Sequence, residues 1–295
     1  MLFPASEAVV AVINRLISES ARPAHLPRLA LAAGIPPEHR VMVVIPAMLS
    51  DAASTQALVH RLRLHHLANP ERHAQFALLT DWADADSATL PSDAGLLDDA
   101  RQQIDALNAR HPPCFSPGLD ELTATMPAPP RFVLLHRARR YSETERRWIG
   151  WERKRGKLEQ LITVLAETSA CSSTSAASPF IDLGTASCIA ADTRYLVTLD
   201  SDTQLPPGRL RDLVGVAAHP QNQPQLDPSG RTVTSGYAIL QPRIVTPLPS
   251  PKDFTHYHGL FAGQCGIDPY SAATSEVYQD VFGEGTFTGK GLLQV

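Results

Sequence analysis

Short continuous apolar runs alternate along this chain with segments whose apolar residues recur every three to four positions. Residues 41–49 (VMVVIPAML) form an unbroken apolar run, which predicts a strand buried on both faces. Residues 76–81 (FALLTD) predict a second buried strand that ends on Asp81, and residues 131–137 (RFVLLHR) a third. Between them, Leu58, Leu62 and Leu67 fit a helix over 51–67, and Leu96, Leu97, Ala100, Ile104 and Leu107 fit one over 93–109. An order of strand, helix, strand, helix, strand calls for a parallel sheet with right-handed crossovers. The expected class is therefore α/β: a Rossmann-like, mixed but mostly parallel sheet flanked by helices.

The flanking segments complete the outline. Val9, Val12, Ile13, Leu16 and Ile17 predict a helix over 5–20 that Ser6 could cap, followed by a connector punctuated by Pro23, Pro27, Pro36 and Pro37. Residues 1–37 are thus expected to form an N-terminal helix and connector, and 38–295 the main domain. The proline-rich stretch 111–130 predicts an excursion or hairpin, and the Ser/Ala stretch 168–179 a surface loop. Leu158, Leu161, Ile162 and Leu165 make the stripe of a helix over 150–167. Tyr195, Leu196, Val197 and Leu199 form a further short strand, stopped by Pro206 and Pro207. A short helix near 208–218, a polar loop over 219–231, a strand over 235–245 and a glycine-rich tail follow.

Composition narrows the class. A chain of 295 residues with 43% hydrophobic and 19% charged content holds one large domain or two small ones with a full core. A net charge of −4 removes the electrostatic argument for general nucleic-acid binding. Cys114, Cys171, Cys188 and Cys265 form no Cys-x-x-Cys pair, so neither a zinc site nor a disulfide framework is indicated. No apolar run approaches the roughly 20 residues of a membrane-spanning helix. The N-terminus lacks a basic start and carries Glu7 in its apolar stretch, so the expectation is a soluble, cytoplasmic chain.

The candidate chemistry begins at Asp200-Ser201-Asp202, where the short strand ends. The carboxyl ends of strands are where open α/β sheets bind ligands. Two carboxylates two residues apart repel unless a cation sits near both, and a hard divalent metal with positions left for phosphate oxygens supplies it. The alternative is an acidic turn that caps a strand. A haloacid-dehalogenase phosphatase also starts from a strand and Asp-x-Asp, but it wants Thr or Val where Gln204 stands, and three strands precede this motif. Arg153, Lys154, Arg155 and Lys157 crowd the N-terminal end of a helix, where they add to the positive end of its dipole. A phosphate-bearing ligand would offset them; a solvated face paired with Glu152 and Glu159 is the alternative. His256 and His258 lie in an aromatic, proline-flanked loop that suits packing or surface roles. The glycines between Gly283 and Gly291 let backbone come close to a ligand but are not a P-loop, since Gly291 follows Lys290 where Ser or Thr is required.

The segments GWERKRGKLEQL, YLVTLDSDTQLP, GYAILQPRI, GIDPY and VYQDVFGEGTFTGKG occur in that order, preceded by LANP, FALLTD and LNAR. Together they resemble the glycosyltransferase domain of cyclic β-1,2-glucan synthases over nearly the whole chain. The resemblance implies a GT-A transferase that uses UDP-glucose and extends a β-1,2-linked glucan acceptor with inversion. It places Mg²⁺ or Mn²⁺ on Asp200 and Asp202, Asp202 being the direct ligand, and directs Asp81 toward the uracil. It has Lys154 and Gly156 line the nucleotide site, and has Gly283, Glu284, Gly285 and Lys290 approach donor sugar and acceptor. It also implies a larger synthase with a membrane-embedded remainder at the cytoplasmic face of a bacterial inner membrane.

The chain departs from the family's pattern near its end, where Leu293 and Gln294 replace Tyr and Asp. The family's catalytic base and its Gln-x-x-Arg-Trp segment would lie beyond Val295. The expectation is a donor-binding domain that transfers glucose poorly or not at all, the alternative being a non-catalytic nucleotide-sugar-binding module.

Overall fold

The computed structural model describes residues 24–112, 129–169, 178–242 and 287–295, with isolated positions outside these ranges. Two compact units are distinguishable: Arg28–Leu240 with Leu292–Val295, and Met1–Pro27 with Gln241–Gly291.

The larger unit is built on a six-stranded sheet of order β3-β2-β1-β6-β10-β9. Its strands are β1 (Val41–Leu49), β2 (Ala74–Trp82), β3 (Phe132–Arg137), β6 (Tyr195–Thr198), β9 (Ile239–Leu240) and β10 (Gly291–Gln294). β1 pairs in parallel with β2 and with β6, β2 pairs in parallel with β3, and β10 with β9 is antiparallel. The sheet is thus mostly parallel, with helices on its faces, and the Rossmann-like expectation holds. Two small antiparallel ribbons are added, β4 (Arg140–Ser142) with β5 (Arg147–Ile149) and β7 (Gln225–Leu226) with β8 (Val233–Ser235).

Helices cover both faces because successive strand residues point to opposite sides. Val41, Val43 and Ile45 pack with Val59 and Leu62 of α1 (Ala52–Ala68), Ala100, Ile104 and Leu107 of α2 (Asp93–Arg110) and Leu210 and Val214 of α4 (Arg209–Ala218). Met42 and Val44 face the other way, against Leu161 and Leu165 of α3 (Arg153–Ser169). Burying each such leucine contributes on the order of 2 kcal/mol. Asp51 starts α1 by accepting from the Ser54 backbone N–H at 2.8 Å.

The apolar runs foretell β1 residue for residue, β2, β3 and β6 closely, and all four helices. The tail and the ribbons differ. The strand expected over 235–245 is broken after β8, because Gly236 adopts φ 73° and a Cβ there would meet the Gln223 carbonyl oxygen at 2.0 Å. The end of the glycine-rich tail, for which no element was expected, forms β10, which enters the sheet and buries Leu292 completely. The ribbon of β4 and β5 had no apolar run to announce it. Most of the expected 111–130 excursion and of the 168–179 loop lies outside the described residues.

In the smaller unit, the described positions between Ser6 and Ser20 are helical, with Val9, Val12, Ile13 and Leu16 exposed. Thr288 donates from its backbone N–H and hydroxyl to Gln241 Oε1 at 2.7 and 3.1 Å. Among the described residues, no helix is long and apolar enough to cross a membrane.

Candidate functional site

Strand order reverses beside β1: β2 and β3 extend the sheet to one side, while β6 lies on the other. A crevice at the carboxyl ends of β1 and β6 follows from that topology. One residue past β6, Leu199 still donates to the Val44 carbonyl at 3.0 Å, which keeps the chain beside β1 until the acidic turn. The turn closes when the Thr203 N–H donates to the Asp200 carbonyl at 3.1 Å. Asp200 is half-buried and Asp202 exposed, so both carboxylates stand at the carboxyl edge of the sheet within reach of solvent.

The first turn of α3 spans the ends of three strands. The Lys154 ammonium is ion-paired with Asp200 Oδ1, both side chains about one-third exposed. One turn on, the Lys157 ammonium donates to the Ala47 carbonyl of β1 at 2.6 Å and to Asp81 Oδ1 of β2 at 2.8 Å. Arg137, the last residue of β3, donates to Asp81 Oδ2 at 3.0 Å, to the Trp151 carbonyl at 3.0 Å and to Gln160 Oε1 at 2.8 Å. The Asp81, Arg137 and Lys157 side chains are 1%, 5% and 4% exposed. Burial lowers the Lys157 pKa, and the Asp81 carboxylate opposes that shift.

The backbone entering α3 is unusual. Glu152 and Arg153 adopt φ 51° and 46°, a left-handed conformation that costs non-glycine residues about 1–2 kcal/mol each. Arg137 grips this turn through the Trp151 and Arg153 carbonyls, at 3.0 and 3.4 Å. Gly156 then lets the helix close over Trp151, since a Cβ there would lie 2.4 Å from the Trp151 carbonyl oxygen. Arg153 is also ion-paired with Asp84, just past the end of β2.

Behind the crevice lies a second polar layer. Thr80 Oγ1 and His136 Nδ1 are 2.8 Å apart, and Trp82 stands edge-on to the His136 ring at a 4.3 Å centroid separation. Arg139 lies 5.4 Å from the centre of the Trp82 ring and forms a buried ion pair with Asp93 at 2.5 Å. Burial holds the His136 pKa down at about 4, so the ring is neutral at neutral pH.

A 292-residue stretch, 99% of this chain, is 38% identical to the cyclic beta-(1,2)-glucan synthase NdvB of Rhizobium meliloti (strain 1021). The chain is a glucan synthase-related domain. It spans about one tenth of that synthase's length. No family model matches the chain.

Within this glucan synthase-related domain the structure gathers Asp81, Lys154, Gly156, Asp200 and Asp202 at one edge of the sheet. Asp81 sits beneath that edge with both oxygens engaged by buried cations. Lys290 belongs to the smaller unit, and Gly283, Glu284 and Gly285, like His256 and His258, lie outside the described residues. Sequence reasoning did not single out Arg137, and it noticed Lys157 only as one of four cations at a helix start, not as the partner of Asp81. A signal for Lys157 existed, because it stands four residues before Leu161 and eight before Leu165, on the stripe that faces the sheet.

Among the described residues, no group of three or more His, Cys, Asp or Glu side chains could by itself hold a metal. Asp200 and Asp202 provide two hard oxygen donors on one turn. That set suits a Mg²⁺ or Mn²⁺ ion that completes its shell with water and phosphate oxygens. Asp200 already takes a cation, the Lys154 ammonium, as its partner.

Proposed function

We propose that this chain is a glycosyltransferase domain that binds UDP-glucose with Mg²⁺ or Mn²⁺ and transfers glucose, with inversion, to a β-1,2-glucan acceptor as part of a larger glucan synthase. The observation that carries this reading is the meeting of Asp200-Ser201-Asp202 with Lys154 at the strand-order reversal, in a chain 38% identical to a glucan synthase over 99% of its length. When bound, the divalent ion would neutralise charge developing on the leaving diphosphate. Asp202, exposed on the turn, is its direct ligand, and Asp200 orients the same end of the nucleotide. The Lys154 ammonium supplies a second positive charge at the phosphates, in a cleft where such charges act more strongly than in water. Gly156 borders the nucleotide site, and Asp81 lies beneath it, held by Lys157 and Arg137.

Calorimetric titration with UDP-glucose tests this reading, with and without Mn²⁺. Metal-dependent binding is expected in the wild type and is lost in Asp202→Ala. A wild type without metal-dependent binding, or an Asp202→Ala variant that binds as well, would sink the proposal. Glucan formation from labelled UDP-glucose then separates a transferase from a module that only binds the nucleotide sugar.

A further inference from the structure

Asp81 is one carboxylate facing two cations, Lys157 and Arg137, in a region 1% to 5% exposed. The neighbouring Arg153–Asp84 and Arg139–Asp93 pairs each set one cation against one carboxylate. The cluster therefore holds a surplus positive charge under the first turn of α3, and burial makes an uncompensated charge costly. Its donors also fix the turn that carries Lys154: Arg137 holds the Trp151 and Arg153 carbonyls, and Lys157 ties the helix to Ala47. Lysine is rare in this chain. Of 26 basic residues only Lys154, Lys157, Lys252 and Lys290 are lysine, and two of those four stand one helical turn apart at this edge. The compact Lys157 ammonium reaches the Ala47 carbonyl and the Asp81 carboxylate together.

We propose that Asp81, Lys157 and Arg137 form a charge-setting and positioning cluster whose surplus positive charge selects a ligand bearing a phosphate or diphosphate at the adjoining Lys154–Asp200 edge. This deepens the donor-site reading above and rests on it for the location of the ligand. None of the three need touch the ligand. Lys157 and Arg137 act through the field they leave and through the turn they hold.

The test titrates the full chain with pyrophosphate and with uridine, both with Mn²⁺ present. Lys157→Gln keeps a donor for the Ala47 carbonyl and removes the charge; it is expected to weaken pyrophosphate binding about tenfold and to leave uridine within about twofold. Asp81→Asn removes the opposing charge and is expected to tighten pyrophosphate binding. A purely structural cluster would weaken binding in both variants. Equal loss for the two probes in Lys157→Gln, or weaker pyrophosphate binding in folded Asp81→Asn, overturns the proposal. If circular dichroism shows either variant unfolded, Arg137→Gln replaces it, with the same selective loss of pyrophosphate expected and equal loss overturning. Failure of the wild type to bind pyrophosphate also overturns it. A wild type that shows the charge pattern but binds UDP-glucose no better than uridine overturns the donor reading instead.

Discussion

Gly150 lies so close to Asp81 that a Cβ on it would come within 2.6 Å of the Asp81 Oδ2 oxygen. That carboxylate has no room to retreat, because Arg137 and Lys157 hold it from two sides. Gly150→Ala is therefore expected to destabilise the protein by about 1–3 kcal/mol. Gly95→Ala is the control: nothing lies within 4 Å of its would-be Cβ, and it sits inside α2. Alanine there is expected to stabilise by about 0.5–1 kcal/mol. Denaturant titration of both variants reads the difference.

Asp202 is exposed, and its described side-chain bond is a long 3.5 Å contact from the Thr203 hydroxyl. Asp202→Ala should leave unfolding free energy within about 0.5 kcal/mol of wild type. Loss of metal-dependent UDP-glucose binding without loss of stability is the expected pair of results. A large fall in stability would show that the residue has a structural task.

Arg139 and Asp93 are 2% and 9% exposed in their side chains, so each is a buried charge satisfied by the other. Arg139→Met leaves the Asp93 carboxylate buried without its cation and is expected to cost about 3–5 kcal/mol. Replacing both partners together should recover part of that loss. A double-mutant cycle on thermal or denaturant unfolding measures the coupling.

Three buried histidines tie stability to pH. His65, His66 and His136 each have their pKa lowered from 6.5 to about 4, with burial the largest cause. The folded pKa lies below the unfolded one, so between these values the unfolded chain binds more protons. Stability is then full above about pH 6.5 and falls as pH drops toward 4, below which the difference saturates. His136 alone, fully buried, contributes on the order of 3 kcal/mol to that fall. Denaturant midpoints measured from pH 7.5 to 4.5 should decline steadily, and less so in His136→Gln. Flat midpoints would contradict the assignment.

Leu292 of β10 is fully buried, although it lies only three residues from the last position of the chain. Leu292→Ala is expected to cost about 2–5 kcal/mol. A tail lying loose on the surface would tolerate the change, so the stability of this variant tests whether β10 completes the sheet.

Much of this molecule was legible as pattern. Unbroken apolar runs mark β1, β2, β3 and β6 because a parallel strand covered on both faces has no solvent side on which to place polar residues. Leucines spaced by three and four mark the helices that cover them, and strand–helix alternation implies the parallel order. Asp200 and Asp202 were visible because their spacing is local and they follow directly on an apolar run. Lys154 was visible because cations at a helix N-terminus run against the dipole.

Tertiary structure decided the rest. Periodicity records whether a position is buried but not what it is buried against, so it can put Lys157 on the sheet-facing stripe without naming its partner. Lys157 shows its part only when Asp81, 76 residues earlier, is brought beside it, and Arg137 arrives at the same carboxylate from 56 residues away. In the same way, the left-handed Gly236 interrupts a segment expected as one strand, and Leu292 becomes core because β10 is inserted between β6 and β9. The apolar pattern by itself determined which segments would form the sheet and its covering helices, because burying apolar surface is a property of each segment. Which charges meet at the sheet's carboxyl edge is a property of pairs distant in sequence, and only the fold brings them together.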